Sequence, residues 1–368
     1  MELDPAHDPA RALHGHEGIL AGLWSAARSS RLAHALAFVG PRGVGKFQAA
    51  RRLAAGLFCD SMRAGASTAP CGTCAPCRRV RAGSHPDLFV IDVLELPADE
   101  RPEELTIARF VRRERDDSWK GPTVDEFLAL RAVEGGWRVI LVREMERANV
   151  AAQNSILKML EEPAELVLWI LECSRPADLL PTIRSRCVQV HFEGLDAAAV
   201  HAVLAERGIA APRAERLARW SRGSPGVALL RSSQCALEMR ELLEIVQTGE
   251  APPLIAARAL WELEGEFDGK TAKAQERARA RAFLDLALDV LSDVERAANG
   301  AAPEGLAHGD IAARADFACV ASPILRRRAL ELLLGLRRDI EANLDPPTLT
   351  DRAFLALAPL AAPRQTQR

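Results

Sequence analysis

Short apolar runs alternate with helical patterns through the first half of the chain. Five of these runs have the length of a β-strand, and polar or helical sequence separates each from the next; they are Ala35–Val39, Leu88–Val93, Arg138–Val142, Leu166–Leu171 and Cys187–His191. Runs that are apolar throughout, without alternation, are typical of strands buried on both faces of a parallel sheet. The pattern therefore predicts an α/β domain that extends to about residue 192.

A helical repeat replaces the strand pattern after His191. Apolar residues recur at steps of three and four residues in two series, Leu284 to Val294 and Leu325 to Ile340. Ser322 and Pro323 precede the second series and suit an N-cap and a first helical position. We therefore expect an α/β domain over residues 1–192, a small helical lid domain over 193–240 and a C-terminal helical bundle over 241–368.

The segment from Glu95 to Trp119 follows neither pattern. It contains two prolines and a dense mixture of charges between Arg112 and Asp117. A solvated insertion, consisting of a loop with a short helix, is the prediction, and a basic contact surface is the alternative.

Composition and charge narrow the class of protein. The 368 residues are 48% hydrophobic and 27% charged, which is ordinary for a globular protein, and the formal net charge is −2. A nearly neutral chain does not bind nucleic acid over its whole surface, so any such contact requires a local patch. The apolar runs are well short of the ~18 residues that a membrane span needs, and Met1–Pro5 lacks the features of a secretory signal. The expected location is the cytoplasm, without a membrane partner.

A phosphate-binding loop is predicted between the first strand and the helical stretch Phe47–Phe58. The loop has the pattern GxxxxGK, in which the characteristic residues are Gly40, Gly43, Gly45 and Lys46. Glycines allow backbone N–H groups to curl around phosphate oxygens, the following helix contributes its positive end, and the lysine adds a charge.

Two positions of this predicted site lack the groups that hold Mg²⁺. A hydroxyl is expected after the lysine, but the residue is Phe47; an acidic residue is expected after strand Arg138–Val142, but the residue is Arg143. Glu144 follows and, without a metal site, is expected to be a surface carboxylate; polarisation of a water is the alternative. These residues predict little or no ATP hydrolysis and argue against ATP as a bound cofactor, with weak binding of a nucleotide or anion at the loop as the alternative.

Four of the eight cysteines are clustered. Their spacing is Cys59-x11-Cys71-x2-Cys74-x2-Cys77, with glycine and prolines that permit tight turns. Such spacing supplies the four thiolates of a structural, tetrahedral zinc site. Four free cysteines, a redox CxxC pair and an iron–sulfur cluster are the alternatives.

Several stretches occur together in the order of a known family. They are 31–35 (RLAHA), 40–46 (GPRGVGK), the four-cysteine segment 59–77, 85–87 (HPD), 134–139 (EGGWRV), 149–163 (NVAAQNSILKMLEEP), 180–187 (LPTIRSRC) and 223–226 (GSPG). With these motifs the chain resembles the AAA+ clamp-loader family of bacterial DNA replication. The resemblance covers about residues 10–230, and the segment 95–119 departs from the family pattern.

The resemblance implies an AAA+ P-loop domain with an inserted zinc module, a helical lid and a collar domain in a hetero-pentameric clamp loader of DNA polymerase III. The loader places the sliding clamp on primed DNA. ATPase subunits of the family carry Ser or Thr, Asp and Arg where this chain has Phe47, Arg143 and Gly226. A non-hydrolysing scaffold subunit is therefore implied, one that lends Arg186 of its Ser-Arg-Cys element to the ATP of a neighbouring subunit.

Three alternatives stay open at this point. The chain could be an active ATPase, such as the motor subunit of the loader, or a zinc-dependent DNA-binding protein. Arg186 and the nearby Arg184 could also be solvated residues at the end of a strand.

Overall fold

The five apolar runs form one parallel sheet. A computed structural model describes residues 13–92, 104–112, 119–134, 136–269, 271–302, 306–308, 323–342 and 344–358. Within these residues the strands are β1 (Ala35–Val39), β2 (Leu88–Ile91), β3 (Arg138–Val142), β4 (Val167–Cys173) and β5 (Val188–His191). Their order is β2-β3-β4-β1-β5, and every neighbouring pair is parallel. The predicted parallel α/β architecture is confirmed.

Both faces of the sheet are covered, which explains why its central strands are apolar at every position except Arg138 and Glu172. On β1, Leu36 and Phe38 enter one core, and Ala35, Ala37 and Val39 enter the other. The same alternation occurs on β3 and β4, where every residue is buried. A strand buried on both faces has no position that favours a polar side chain, so its sequence does not alternate.

Short helices precede, separate and follow these strands. Their bounds are α1 (Glu17–Arg28), α2 (Lys46–Phe58), α3 (Asp60–Arg63), α4 (Ala75–Arg81), α5 (Val124–Ala129), α6 (Val150–Ser155), α7 (Leu157–Glu161), α8 (Pro181–Arg184) and α9 (Ala197–Glu206). Side-chain caps begin several of them. Asn149 accepts a hydrogen bond from Ala152 N, and Thr123 forms a reciprocal capping box with Glu126.

The predicted strand ends shift by one or two residues. Leu166 has a φ of 55°, so it precedes β4 as a turn residue instead of starting the strand. Cys173 is buried and extends β4, whereas Cys187 is buried just before β5. Val93, which was predicted to end the second strand, lies outside the described residues.

Over residues 104–112 the predicted short helix is present as a 3₁₀ turn, but the prediction that the segment is solvated is wrong. Leu105 and Phe110 are fully buried, and Leu105 forms a parallel bridge with Ala148. A 3₁₀ turn over Ile107–Arg109 brings these apolar side chains onto the sheet. Their burial is favourable because it removes apolar surface from water, and the surrounding charges had hidden this short apolar pattern. The segments 93–103 and 113–118 lie outside the described residues.

The second half of the described chain is helical, as predicted. Its helices are α10 (Ala211–Trp220), α11 (Pro225–Ser233), α12 (Ala236–Gln247), α13 (Pro253–Glu262), α14 (Ala272–Ala298), α15 (Pro323–Glu341) and α16 (Pro346–Leu357). The core contains Phe283 stacked on Phe354, with ring centroids 4.5 Å apart. Pro323 begins α15, as expected; Ser322 lies outside the described residues.

Contacts between backbone positions divide the chain into two compact units. One unit comprises Met1–Val203 and Gly223–Gly226, and the other comprises Leu204–Arg222 and Val227–Arg368. The division into three domains at residues 192 and 240 stays a prediction. In the part of the chain that the structure describes, none of the helices combines the length and apolar character of a membrane span.

Candidate phosphate loop and metal centre

The phosphate loop has the predicted strand–loop–helix context. Residues 40–45 connect β1 to α2, which begins at Lys46. Gly43 and Gly45 have φ angles of 76° and 105°, a region that side chains disfavour. A Cβ on Gly40 would lie 2.1 Å from the carbonyl oxygen of Phe192. The glycines of the motif are therefore required by the backbone itself, whatever the loop binds.

Lys46 is turned into the protein. Its Nζ donates to Gly40 O (2.9 Å), Pro41 O (2.8 Å) and Ser174 Oγ (3.0 Å), and lies 3.6 Å from a carboxylate oxygen of Glu172. Burial lowers the pKa of Lys46, and the nearby carboxylates, Glu172 first, oppose that shift. The lysine thus lies where the motif predicts it, but its N–H groups donate to acceptors of the same chain.

The two residues that replace the Mg²⁺-binding groups contact each other. The guanidinium of Arg143 lies over the ring of Phe47, 4.5 Å from the ring centroid, and donates to Asp92 Oδ2 at 2.8 Å. Phe47 is 5% exposed. A cation over an aromatic face is a favourable contact, whereas neither group offers a lone pair to Mg²⁺. The sequence identified both substitutions but not their contact.

Glu144, which was expected to be a surface carboxylate, is mostly buried. Its side chain is 12% exposed and pairs with Arg42 at 2.9 Å and with Arg147 at 3.1 Å. Its backbone has a φ of 49°, so this residue turns the chain directly after β3. The expectation is wrong because two arginines that are close in space, one from the phosphate loop, neutralise the carboxylate.

Gly226 lies against the phosphate loop. Its backbone N–H donates to Gly43 O at 2.9 Å, and Ser224 Oγ donates to Arg42 O at 2.8 Å. A Cβ at Gly226 would lie 2.8 Å from Gly43 Cα. An arginine could not occupy this position without displacing the backbone.

The four clustered cysteines converge. Cys59 follows α2, Cys74 precedes α4, and Cys77 lies within α4. The Sγ atoms of Cys59, Cys71, Cys74 and Cys77 all lie within 4.8 Å of one another. In a tetrahedral zinc–thiolate site with Zn–S bonds of about 2.3 Å, sulfurs are about 3.8 Å apart. The residues present therefore fit a zinc ion.

Backbone groups around the cysteines stabilise negative sulfur. Cys71 Sγ accepts from the N–H of Cys74 at 3.4 Å and from Thr73 Oγ1 at 3.6 Å. These hydrogen bonds lower the pKa of Cys71 to about 5. Burial, in contrast, raises the pKa of Cys77. Thiolates are the ligands that zinc requires, and a bound cation would hold all four sulfurs in that form.

Arg51, which the sequence analysis did not single out, and two residues of the HPD motif make further contacts on either side of the metal segment in the chain. Arg51 of α2 donates to Val80 O at 2.8 Å and so caps the end of α4. His85 is buried and stacks on Phe58, with ring centroids 3.9 Å apart, while Asp87 accepts from the N–H groups of Val133 and Glu134. The HPD motif was the available signal, but its contacts depend on distant parts of the chain.

Arg186 lies in the short connection between α8 and β5, two residues after the helix ends and two before the strand begins. One Nη donates to Thr182 O at 2.9 Å and the other pairs with Glu161. The side chain is about one third exposed, whereas Arg184 is exposed. These two contacts hold the guanidinium of Arg186 at the surface of the α/β domain.

The strand order, the GxxxxGK loop and the helix that begins at its lysine define a P-loop α/β domain. Residues 15–196 match the family model described as DNA polymerase III, delta subunit. This matched segment, just under half of the chain, belongs to the family of DNA polymerase III clamp-loader subunits.

Similar proteins include more than one kind of subunit. A delta' subunit of Pseudomonas aeruginosa is 38% identical over 157 residues, which are 43% of this chain and 42% of that protein. The tau subunit of Escherichia coli K12 is 34% identical over 226 residues, which are 60% of this chain and 32% of that protein. The chain thus spans less than half the length of each of these curated relatives. A solved gamma subunit-related protein from Thermotoga maritima aligns with a TM-score of 0.47 at 16% identity, covering 91% of this chain and 98% of that one.

Proposed function

We propose that this chain is a non-hydrolysing, delta-prime-type scaffold subunit of the DNA polymerase III clamp loader. In this proposal it works in the cytoplasm within a hetero-pentamer that contains motor and delta-like subunits. The complex loads the sliding clamp onto primed DNA at the expense of ATP, and this chain has no ATPase activity of its own.

The contact between Arg143 and Phe47 is the observation that supports this proposal. A motor subunit needs a hydroxyl and a carboxylate on Mg²⁺. Here the two positions hold a cation and an aromatic ring 4.5 Å apart, and the cation is anchored by Asp92. A divalent ion at this place would meet a positive charge and no oxygen ligand from either residue.

Steady-state ATP hydrolysis by the purified chain tests the proposal. We expect no turnover above background, with or without primed DNA, and the same result for Lys46→Ala. Turnover at the rate of a typical loader motor, lost in Lys46→Ala, would instead establish the second candidate, an active motor subunit. The 34% identity to a tau subunit is the observation that favours this second candidate.

Reconstitution tests the proposed partners. Mixing the chain with motor and delta-like subunits should give a complex whose mass contains one copy of this chain. Failure to assemble would contradict the scaffold role even if the chain hydrolyses no ATP. Strong, salt-dependent DNA binding by the isolated chain would favour the zinc-dependent DNA-binding alternative, although a net charge of −2 argues against it.

Arg186 is proposed to act on the ATP of a neighbouring subunit. A guanidinium stays charged and presents a planar fork to phosphate oxygens. To reach a neighbour it would exchange its partners, Glu161 and Thr182 O, for the phosphate. The side chain is partly exposed, so this exchange needs no unfolding.

The test compares Arg186→Ala with Arg186→Lys and Arg184→Ala in reconstituted loaders. Arginine fingers contribute about 10³–10⁵-fold in GTPases; since only one ATP site faces this chain, we expect clamp loading to slow by at least tenfold and total ATP turnover to fall less. Lysine should rescue poorly, and Arg184→Ala should have little effect. Normal ATP turnover and loading by assembled Arg186→Ala complexes would refute the role.

A structural zinc ion is proposed at Cys59, Cys71, Cys74 and Cys77. Four protein ligands fill a tetrahedral coordination sphere and leave no position for a substrate, so the ion would fold the segment between α2 and α4 and perform no chemistry. The convergence of the four Sγ atoms within 4.8 Å supports this assignment.

A further inference from the structure

A buried carboxylate from β4 lies beside the lysine of the phosphate loop. Glu172 is 7% exposed, and its Oε1 is 3.6 Å from Lys46 Nζ. Its second oxygen is 3.8 Å from Arg143 Nε. Glu172 therefore lies between Lys46, at the predicted phosphate site, and Arg143, at the position where the motif predicts a ligand for Mg²⁺.

The hydrogen-bonding capacity of Lys46 is already used. An ammonium group has three N–H donors. Lys46 donates to three acceptors of its own chain, Gly40 O, Pro41 O and Ser174 Oγ, at 2.8–3.0 Å. A phosphate would have to displace at least one of these acceptors, and it would then lie close to the carboxylate of Glu172.

This cluster carries no excess of positive charge without a ligand. Lys46 and Arg143 face Glu172 and Asp92, which gives two cations and two carboxylates. Glu146 adds a third carboxylate, held by the N–H of Ser174. A polyphosphate that enters this cluster would therefore meet no excess of positive charge, and a buried anion without a partner is costly.

We propose that Glu172 determines the specificity of this phosphate loop: its carboxyl group occupies the space beside Lys46 and excludes the phosphates of a nucleotide. The inference rests on the proposed function for the loop's lack of turnover, and it assigns the exclusion to one residue outside the motif. Phe47 and Arg143 offer no ligand to Mg²⁺, whereas Glu172 prevents a phosphate group from binding at Lys46.

Calorimetric titration of the full chain with pyrophosphate, without metal, tests the role of Glu172. Wild-type protein should bind weakly, and Glu172→Gln and Glu172→Ala should each bind at least tenfold more tightly. Glu144→Gln is the matched control, since Glu144 pairs with Arg42 and Arg147. Adding Lys46→Met to Glu172→Gln should abolish the gain.

Three binding results would overturn the proposal. They are equal affinities in wild type and both folded Glu172 variants, an equal gain in Glu144→Gln, and a gain that persists without Lys46. Misfolding of both Glu172 variants by circular dichroism would also overturn it, because the carboxylate would then act on stability. ATP turnover in the isolated chain would refute the proposed function separately, since pyrophosphate binding measures affinity alone.

Discussion

The two ends of α2 carry two kinds of ligand-binding motif, and the structure treats them differently. At its first residue, Lys46, the donors of the phosphate loop are satisfied by carbonyls, a hydroxyl and a carboxylate of the same chain. After its last residue, Cys59 meets three other cysteines, and the four Sγ atoms lie within 4.8 Å of one another. At the phosphate-loop end, the N–H groups of Lys46 are satisfied within the chain. At the cysteine end, four sulfur atoms converge, and a bound cation would stabilise them as thiolates.

This difference shows that a chain can carry a ligand-binding motif without having a site that is open to the ligand. The glycines of the phosphate loop are retained by the backbone, because residues such as Gly40 leave no room for a side chain. The thiols have no comparable backbone requirement, and a structural metal contributes folding free energy directly. We therefore expect ligand removal to matter at the cysteine end only.

The largest expected effect is at the cysteine end. Cys74→Ser/Cys77→Ser should lose about one zinc per chain by elemental analysis. Structural zinc contributes about 10–16 kcal/mol in small peptides, and a loss of even a few kcal/mol lowers the Tm of a chain of this size by about 5 °C. Cys187→Ala, outside the cluster, is the control and should keep its metal.

If protein purified without chelator contained no metal, the proposed zinc site at the cysteine end of α2 would be contradicted. An unchanged Tm in the double variant would contradict it as well, because the cysteines would then hold nothing that stabilises the fold.

An intermediate effect is expected where Gly226 contacts the phosphate loop. Gly226→Ala places a Cβ 2.8 Å from Gly43 Cα and should destabilise the chain by about 1–3 kcal/mol, as overpacking does. Gly22→Ala in α1 is the matched control: it has open space around it and should be neutral or stabilising by up to about 1 kcal/mol. Chemical denaturation measures both. Equal stability of the two variants would show that the contact is loose.

The smallest effect is expected from nucleotide. A ligand that binds the folded state at 100 times its Kd stabilises it by about 2.7 kcal/mol. We expect millimolar MgATP to leave the Tm of the wild-type chain within about 1 °C, while a zinc chelator lowers it. A clear rise in Tm with MgATP would mean that the loop opens to nucleotide, and the contrast between the two ends would fail.

The sequence predicted most local features of this protein and missed those that depend on neighbours in space. The positions of the five strands and the first residue of α15 followed from apolar periodicity. Leu105 and Phe110 were missed, because a short apolar pattern lies beside a dense run of charges. Glu144 was misplaced, because its partner Arg42 is distant in the sequence.

By itself the sequence determined the parallel α/β class, the phosphate-loop glycines and the spacing of the four cysteines, because each depends on residues close together along the chain. Tertiary structure alone decided that Arg143 lies over Phe47, that Glu172 reaches Lys46 and that Gly226 touches Gly43. The parallel strand order brings the ends of β1, β3 and β4 together, and the side chains that follow those strands meet only there. Whether a loop with the right motif retains room for a ligand depends on residues such as Glu172 and Gly226, which are close in space but distant in the sequence. A local sequence pattern cannot predict their contacts.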